Sequence, residues 1–142
     1  MSRTFDLADK LIYYTLVYLD KNGATRISKL CDNMKKDLKF DDWERAVYPK
    51  TGNVRWDRML LSFSLDLDKA GWIAKRRKVW DITPKGKQAL GELREPSKLR
   101  QEAARMYKIW NAIPREELLR RKAAEKAAKA NADNAGLAKS KP

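Results

Sequence analysis

Residues 54–86 read VRWDRMLLSFSLDLDKAGWIAKRRKVWDITPKG, and their apolar pattern changes from helical spacing to alternation near the middle. The first half predicts a helix from about Val54 to Lys69 that ends at Gly71, a residue suited to a helix C-terminus. One face of this helix carries its apolar side chains, Trp56, Leu60, Phe63, Leu67 and Ala70. The opposite face carries Arg55, Arg58, Ser62 and Asp66.

The second half of this stretch predicts a β-hairpin followed by another helix. Two short strands are expected at about 72–75 and 78–83, because Trp80 and Ile82 alternate with a polar residue. Four consecutive bases, 75–78, connect the strands without the Gly or Asn that a tight hairpin prefers. Thr83-Pro84 then supplies an N-cap and a first helical residue for a helix reaching about residue 94.

Three further helical segments precede this stretch. A helix is predicted from about Phe5 to Asp20, ended by Asn22-Gly23, and a second from an N-cap at Thr25 to Leu38. The single cysteine, Cys31, falls in the apolar series of the second helix and is interpreted as a buried thiol. A short, mostly acidic helix is expected over 40–47. The fold class is therefore predicted as mainly α with a small β-hairpin, in the element order of a winged helix-turn-helix domain.

The C-terminal third differs in composition and predicts a separate extension. We assign 1–96 to the winged-helix domain, 97–130 to a basic helical extension, and 131–142 to a disordered tail. The extension contains an apolar stripe that either forms a homodimer interface or packs on the domain. Its main members are Leu99, Met106 and Trp110.

Composition limits the function classes. The net charge is +13, from 32 Lys and Arg against 19 Asp and Glu, which favours polyanionic partners. Histidine is absent and there is one cysteine, so His-based catalysis and zinc-finger sites are excluded. No Gly-rich phosphate loop occurs, and we expect neither enzymatic activity nor a cofactor or metal. No signal peptide or membrane span is recognised. We therefore predict a cytoplasmic protein, which could associate with the nucleoid, and no membrane partner.

Three motifs carry a family resemblance. They are Trp56-Asp57-Arg58-Met59-Leu60, Leu67-Asp68-Lys69-Ala70-Gly71-Trp72-Ile73, and Trp80-Asp81-Ile82-Thr83-Pro84-Lys85-Gly86. Together with the loop Tyr48-Pro49-Lys50-Thr51-Gly52, they resemble the N-terminal domain of Mrr-type restriction proteins over about residues 5–92. The resemblance implies a DNA-binding winged helix. It also implies that nuclease activity belongs to a separate domain, whose carboxylate and Lys constellation this chain does not supply.

Two basic groups are the candidate nucleic-acid contacts. The helix predicted from about Val54 to Lys69 is the recognition helix of a winged-helix domain. Its N-terminal end offers Asn53, Arg55, Arg58 and Ser62 to base edges in the major groove. The predicted β-hairpin is the wing of such a domain, and the connection between its strands offers Lys75, Arg76, Arg77 and Lys78 to phosphates. The alternatives are that the helix residues are only solvated and that the hairpin charges deter edge pairing.

The predicted function is DNA binding, with double-stranded DNA as partner, by a regulator or a target-recognition component. An RNA-binding or ribonucleoprotein component, and a protein-interaction adaptor whose charge only keeps it in solution, are the alternatives.

Overall fold

The computed structural model describes the backbone of residues 3–139 and the side chains of residues 3–128. Within that range it contains α1 (Arg3–Asn22), β1 (Thr25–Arg26), α2 (Ile27–Leu38), α3 (Arg55–Lys69), β2 (Ile73–Arg76), β3 (Val79–Ile82), α4 (Pro84–Leu93), α5 (Pro96–Asn111) and α6 (Arg115–Lys139). The fold is mainly helical with a small antiparallel sheet, in a winged-helix-like arrangement, as predicted. The chain separates after Lys108 into two compact units, which are described in turn.

Helix α1 is the centre of the first unit. Its buried side chains recur at helical spacing and include Leu7, Leu11, Leu16 and Leu19. Helix α3 packs against α1, and its Trp56 belongs to the same buried core. A fully buried leucine stabilises the fold by about 1.5–3 kcal/mol relative to an exposed one, so α1 organises the core.

The sheet has one strand more than the predicted hairpin. Strand β1 pairs with β3, and the strand order is β1-β3-β2. Thr25, predicted as the N-cap of α2, lies in β1, and its Oγ1 donates a hydrogen bond to the Gly23 carbonyl (2.9 Å). That N-cap prediction is wrong. The cap position belongs to Arg26, which makes no side-chain capping bond, and the Ile27 N–H donates to the Lys78 carbonyl (2.8 Å).

The segment before α3 forms a turn where a short helix was predicted over 40–47. The Glu44 N–H donates to Asp41 Oδ1 (2.8 Å), and the Asp41 N–H donates to Glu44 Oε1 (2.9 Å). This reciprocal pair is the arrangement that starts a helix. The helix does not propagate, because Val47 forms an antiparallel bridge with Val54 and draws the chain into a loop.

Helix α5 contributes to the core of the first unit, beyond the predicted boundary at residue 96. Leu99 is 0% exposed, and Met106 packs partly buried against the same core. Arg100 pairs with Asp9 of α1. Leu99 is therefore not exposed to a second copy of the chain. At Leu99 and Met106, the apolar stripe of the extension packs on the first unit. Trp110, its third member, belongs to the second unit and is partly buried there.

The second unit contains the end of α5 and helix α6. Glu116 and Glu117 lie in the first turn of α6, where negative charge is favourable for the helix dipole. The disordered tail was predicted from residue 131, yet the backbone remains helical to Lys139, consistent with the high helix propensity of alanine. Residues 140–142 lie outside the described residues.

Cys31 is partly buried against the core, as the helical apolar series indicated. Burial, and next the nearby Asp57 carboxylate, raise the pKa of its thiol to about 11. The thiol is therefore neutral near pH 7. Among the residues with described side chains, no three Cys, Asp or Glu are grouped as a metal site would require. In the part of the chain that the structure describes, no helix has the length and apolarity to cross a membrane.

Candidate nucleic-acid interface

The exposed face of α3 carries both polar and apolar side chains. Arg58 and Ser62 are exposed, as predicted. Leu61 and Leu65 share this face and are 45% and 39% exposed. Asp66, predicted on the same face, is half-buried, and burial raises the pKa of its carboxyl. Leu61 and Leu65 lie one and two turns beyond Arg58 and so share its side of the helix. They were not predicted from the sequence, because the apolar face of this helix was assigned to other residues.

Arg55 does not face outward with Arg58. Its Nη1 donates to the Trp43 carbonyl (2.8 Å), and its guanidinium lies 4.3 Å from the Trp43 ring centroid. The same guanidinium is 5.6 Å from the Tyr48 ring. Arg55 therefore connects the preceding loop to the start of α3. That it also reads base edges stays a prediction.

This difference gives a paired prediction for two arginines of one helix. Replacing Arg55 by alanine removes the bond to Trp43 and a cation–π contact, so the free energy of unfolding should fall by about 1–2 kcal/mol. Replacing Arg58 should change it by no more than about 0.5 kcal/mol, since this exposed side chain makes no hydrogen bond or ion pair within residues 3–128. Urea unfolding followed by tryptophan fluorescence measures both. Equal losses of stability would contradict the assignment of Arg55 to the loop.

The first two amide groups of α3 are already bonded. The Arg55 N–H donates to the Ala46 carbonyl (2.8 Å), and the Trp56 N–H donates to the Glu44 carbonyl (3.0 Å). These donors would otherwise be available to an anion at a helix N-terminus. At Arg55 and Trp56, contacts with a phosphate must therefore come from side chains.

The loop before α3 adds a cation beside Arg58. Lys50 and Arg58 line one open depression of about 570 Å³ together with Tyr48, Pro49 and Thr51. Asn53, a predicted base contact, is exposed at the base of this loop. Lys50 was missed because its proximity to Arg58 depends on how the loop folds against the helix.

The sheet register separates Lys75 from the other wing cations. Across the sheet, Lys75 of β2 pairs with Trp80 of β3, and Trp80 pairs in turn with Thr25 of β1. Trp80 and Thr25 are both buried. Directly opposed residues project to the same face of a sheet. Lys75 Nζ accordingly donates to Ser64 Oγ of α3 (2.8 Å) and lies 5.0 Å from the Trp80 ring. Burial lowers the pKa of this lysine. Lys75 links the wing to α3 although the residue itself remains exposed. Its phosphate contact stays a prediction.

The remaining wing cations project away from the core. Val79 of β3 pairs with Arg76 of β2 on one side and with Arg26 of β1 on the other. The two arginines therefore flank Val79 on the outer face of the sheet. The connection itself is only two residues long. Arg77 and Lys78 form it, with φ of 46° and 26°.

Strand β1 brings further cations to the wing tip. The bond from the Ile27 N–H to the Lys78 carbonyl holds the start of α2 beside the tip, and Lys29 lies exposed in the first turn of that helix. Among residues 3–128, no carboxylate lies within ion-pairing distance of Arg26, Lys29, Arg77 or Lys78. Arg26 and Lys29 were missed because only the pairing of β1 with β3 brings them here.

Comparison with protein-family models matches residues 9–92 to the Mrr N-terminal domain. This range runs from α1 into α4, includes the α3 face and the hairpin, and makes up more than half of the chain. Searches among curated proteins and among solved structures found no match. On the family match, the chain belongs to the Mrr N-terminal domain family.

Proposed function

We propose that this protein binds double-stranded DNA, with the exposed face of α3 in the major groove and the β2–β3 tip on the phosphate backbone. It acts by binding, as a regulator or as the target-recognition component of a system whose catalytic activity resides in another chain or domain. Membership of the Mrr N-terminal domain family supports this class of function.

The observation that carries the proposal is the composition and backbone of the wing tip. Arg77 and Lys78 occupy a two-residue hairpin connection with positive φ at both positions. Asn-Gly fills such a turn with the least strain, since side chains disfavour this backbone region. Two long cations there raise the energy of the turn, and among the described residues they have no carboxylate partner. Strain of this kind at an exposed basic tip favours a role in contacting an external anion.

The α3 face supplies the groups that can discriminate bases. Arg58 can donate two hydrogen bonds to guanine O6 and N7, and the amide of Asn53 can pair with adenine. Ser62 adds a hydroxyl, while Leu61 and Leu65 can make apolar contact with thymine methyl groups. The tip cations would instead position the protein on the backbone without reading sequence.

Binding to matched polymers in rising salt tests this proposal. Fluorescence anisotropy should give the tightest binding for duplex DNA, against duplex RNA and single-stranded DNA of the same sequence. With about 5–8 phosphate contacts, the logarithm of the affinity should fall with that of salt at a slope of about −5 to −7. Alanine at Arg58 should flatten sequence preference, whereas alanine at exposed Lys87 of α4 is the control and should change nothing.

Two outcomes would overturn the assignment to duplex DNA. A clear preference for duplex RNA would point to a ribonucleoprotein role. Weak binding to every polymer would point to a protein-interaction adaptor.

A further inference from the structure

A second basic site lies outside the α3 face and the wing, in a cavity between the end of α2 and the start of α3. The cavity has a volume of about 680 Å³. Three elements contribute its walls, and no carboxylate is among the residues that line it. The lining residues are Lys35, Lys39, Phe40, Arg45, Val54 and Trp56.

The positive charge in this cavity is largely uncompensated. Lys35 and Lys39 have no ion-pair partner among residues 3–128. Arg45 is bonded to Asp42 (2.6 Å), but the Asp42 side chain is fully exposed, so water and salt screen that pair. Three like charges around one concavity repel one another, and an anion between them would relieve this repulsion.

The backbone at Lys39 supports a functional role for its charge. Lys39 follows the last residue of α2 and adopts the left-handed conformation, with φ 48° and ψ 66°. Glycine or asparagine occupies this helix-ending position with less strain. A lysine there keeps an ammonium group at the cavity in spite of the unfavourable backbone.

The floor of the cavity is apolar and formed by two stacked aromatic rings. Phe40 and Trp56 stack with ring centroids 4.5 Å apart and an interplanar angle of 17°. They are only 5% and 3% exposed, so little ring surface is left on which a base could stack. An apolar wall raises the field of nearby cations, because it replaces water with a medium of low dielectric constant. The cavity therefore suits a compact anion, with room for a sugar-sized group attached to it.

We propose that this cavity binds a phosphate monoester, the terminal phosphate of a free nucleotide or of a nucleic-acid strand end. A monoester carries close to two negative charges at neutral pH. That charge matches two unpaired lysines and a screened arginine better than the single charge of a backbone diester. The site shares no residue with the proposed duplex-binding surface, and the inference does not depend on it.

Calorimetric titration of the full chain with adenosine 5′-monophosphate, inorganic phosphate and adenosine tests the site. The two phosphate compounds should bind and adenosine should not. Lys39→Asn removes the cation and leaves a residue that tolerates the left-handed backbone, so the fold should be retained while the affinity for the nucleotide falls at least about tenfold. Lys36→Gln, a charge removal on α2 outside the cavity lining, is the control and should bind like the parent.

A strand-end comparison distinguishes the two sources of the phosphate. Tighter binding of a duplex with 5′-phosphate ends than of one with 5′-hydroxyl ends, lost in Lys39→Asn, assigns the site to a strand end. Nucleotide binding without that preference assigns it to a free nucleotide. The proposal fails if phosphorylated ligands bind no better than their unphosphorylated counterparts, or if Lys39→Asn leaves their affinity unchanged. Binding of the 5′-hydroxyl duplex reports separately on the α3 and wing surface.

Discussion

Replacing Gly86 by alanine is expected to lower the free energy of unfolding by about 3 kcal/mol, because the added methyl group would overlap neighbouring atoms. An added Cβ would lie 2.2 Å from the Trp72 carbonyl oxygen and 2.8 Å from Ile82 Cγ1. The carbonyl cannot retreat freely, because it accepts a hydrogen bond from the Thr83 N–H (2.9 Å). Helix α4 would have to move away from the sheet. Urea unfolding followed by tryptophan fluorescence measures the loss.

Gly91 provides a matched control in the same helix. A Cβ at Gly91 would meet nothing within 4 Å. Alanine has the higher helix propensity, so Gly91→Ala should raise stability by up to about 1 kcal/mol. If the two substitutions had effects of the same sign and size, the close approach of α4 to the sheet would not be the reason for glycine at residue 86.

The position of Gly86 explains one of the motifs that resemble the family. Thr83 caps α4 by accepting the Gly86 N–H at its Oγ1 (3.0 Å), and the same hydroxyl donates to the Gly71 carbonyl (2.5 Å). One threonine thus ties the end of α3 to the start of α4. The Ile82-Thr83-x-x-Gly86 spacing is therefore a packing requirement, and by itself it does not indicate what the domain binds.

Long periodic segments and local capping could be predicted from the sequence. Helices α1 and α3 were predicted within about two residues at each end, and the Thr83 cap of α4 is confirmed. These features depend on residues that are close together in the chain. Strand β1 could not be predicted in this way, because two residues carry no periodicity and their partner strand begins at Val79.

The candidate contacts divide for the same reason. Arg55 and Arg58 are three residues apart on one helix, yet only Arg55 reaches the carbonyl and ring of Trp43. Lys75 and Arg76 are adjacent, yet the pleat directs Lys75 to Trp80 and Arg76 to the outer face. Composition identified a basic surface. Which cations remain available to a ligand depends on tertiary neighbours that no local pattern encodes.

The double variant Arg77→Asn, Lys78→Gly should change stability and binding in opposite directions. Asparagine and glycine fit a turn with positive φ, so relief of the strained tip should raise the free energy of unfolding by about 1–2 kcal/mol. Loss of two phosphate contacts should lower the affinity for duplex DNA at least about tenfold in 0.15 M salt. The slope of log affinity against log salt should become less steep by about 2.

Lys75→Met distinguishes this effect from a general loss of wing charge. Its ammonium group bonds to Ser64 Oγ of α3, so this variant should lose stability, by about 1 kcal/mol, while its salt slope stays that of the parent. Anisotropy in rising salt and urea unfolding on the same preparations give both quantities for each variant. If the tip variant kept the parent's salt slope, or if Lys75→Met reduced that slope equally, the two-residue tip would not be the part of the wing that holds the phosphates. For the tip variant, the free energy of unfolding should rise while the affinity for duplex DNA falls. If these two residues only supported the fold, replacing them could not produce both changes at once.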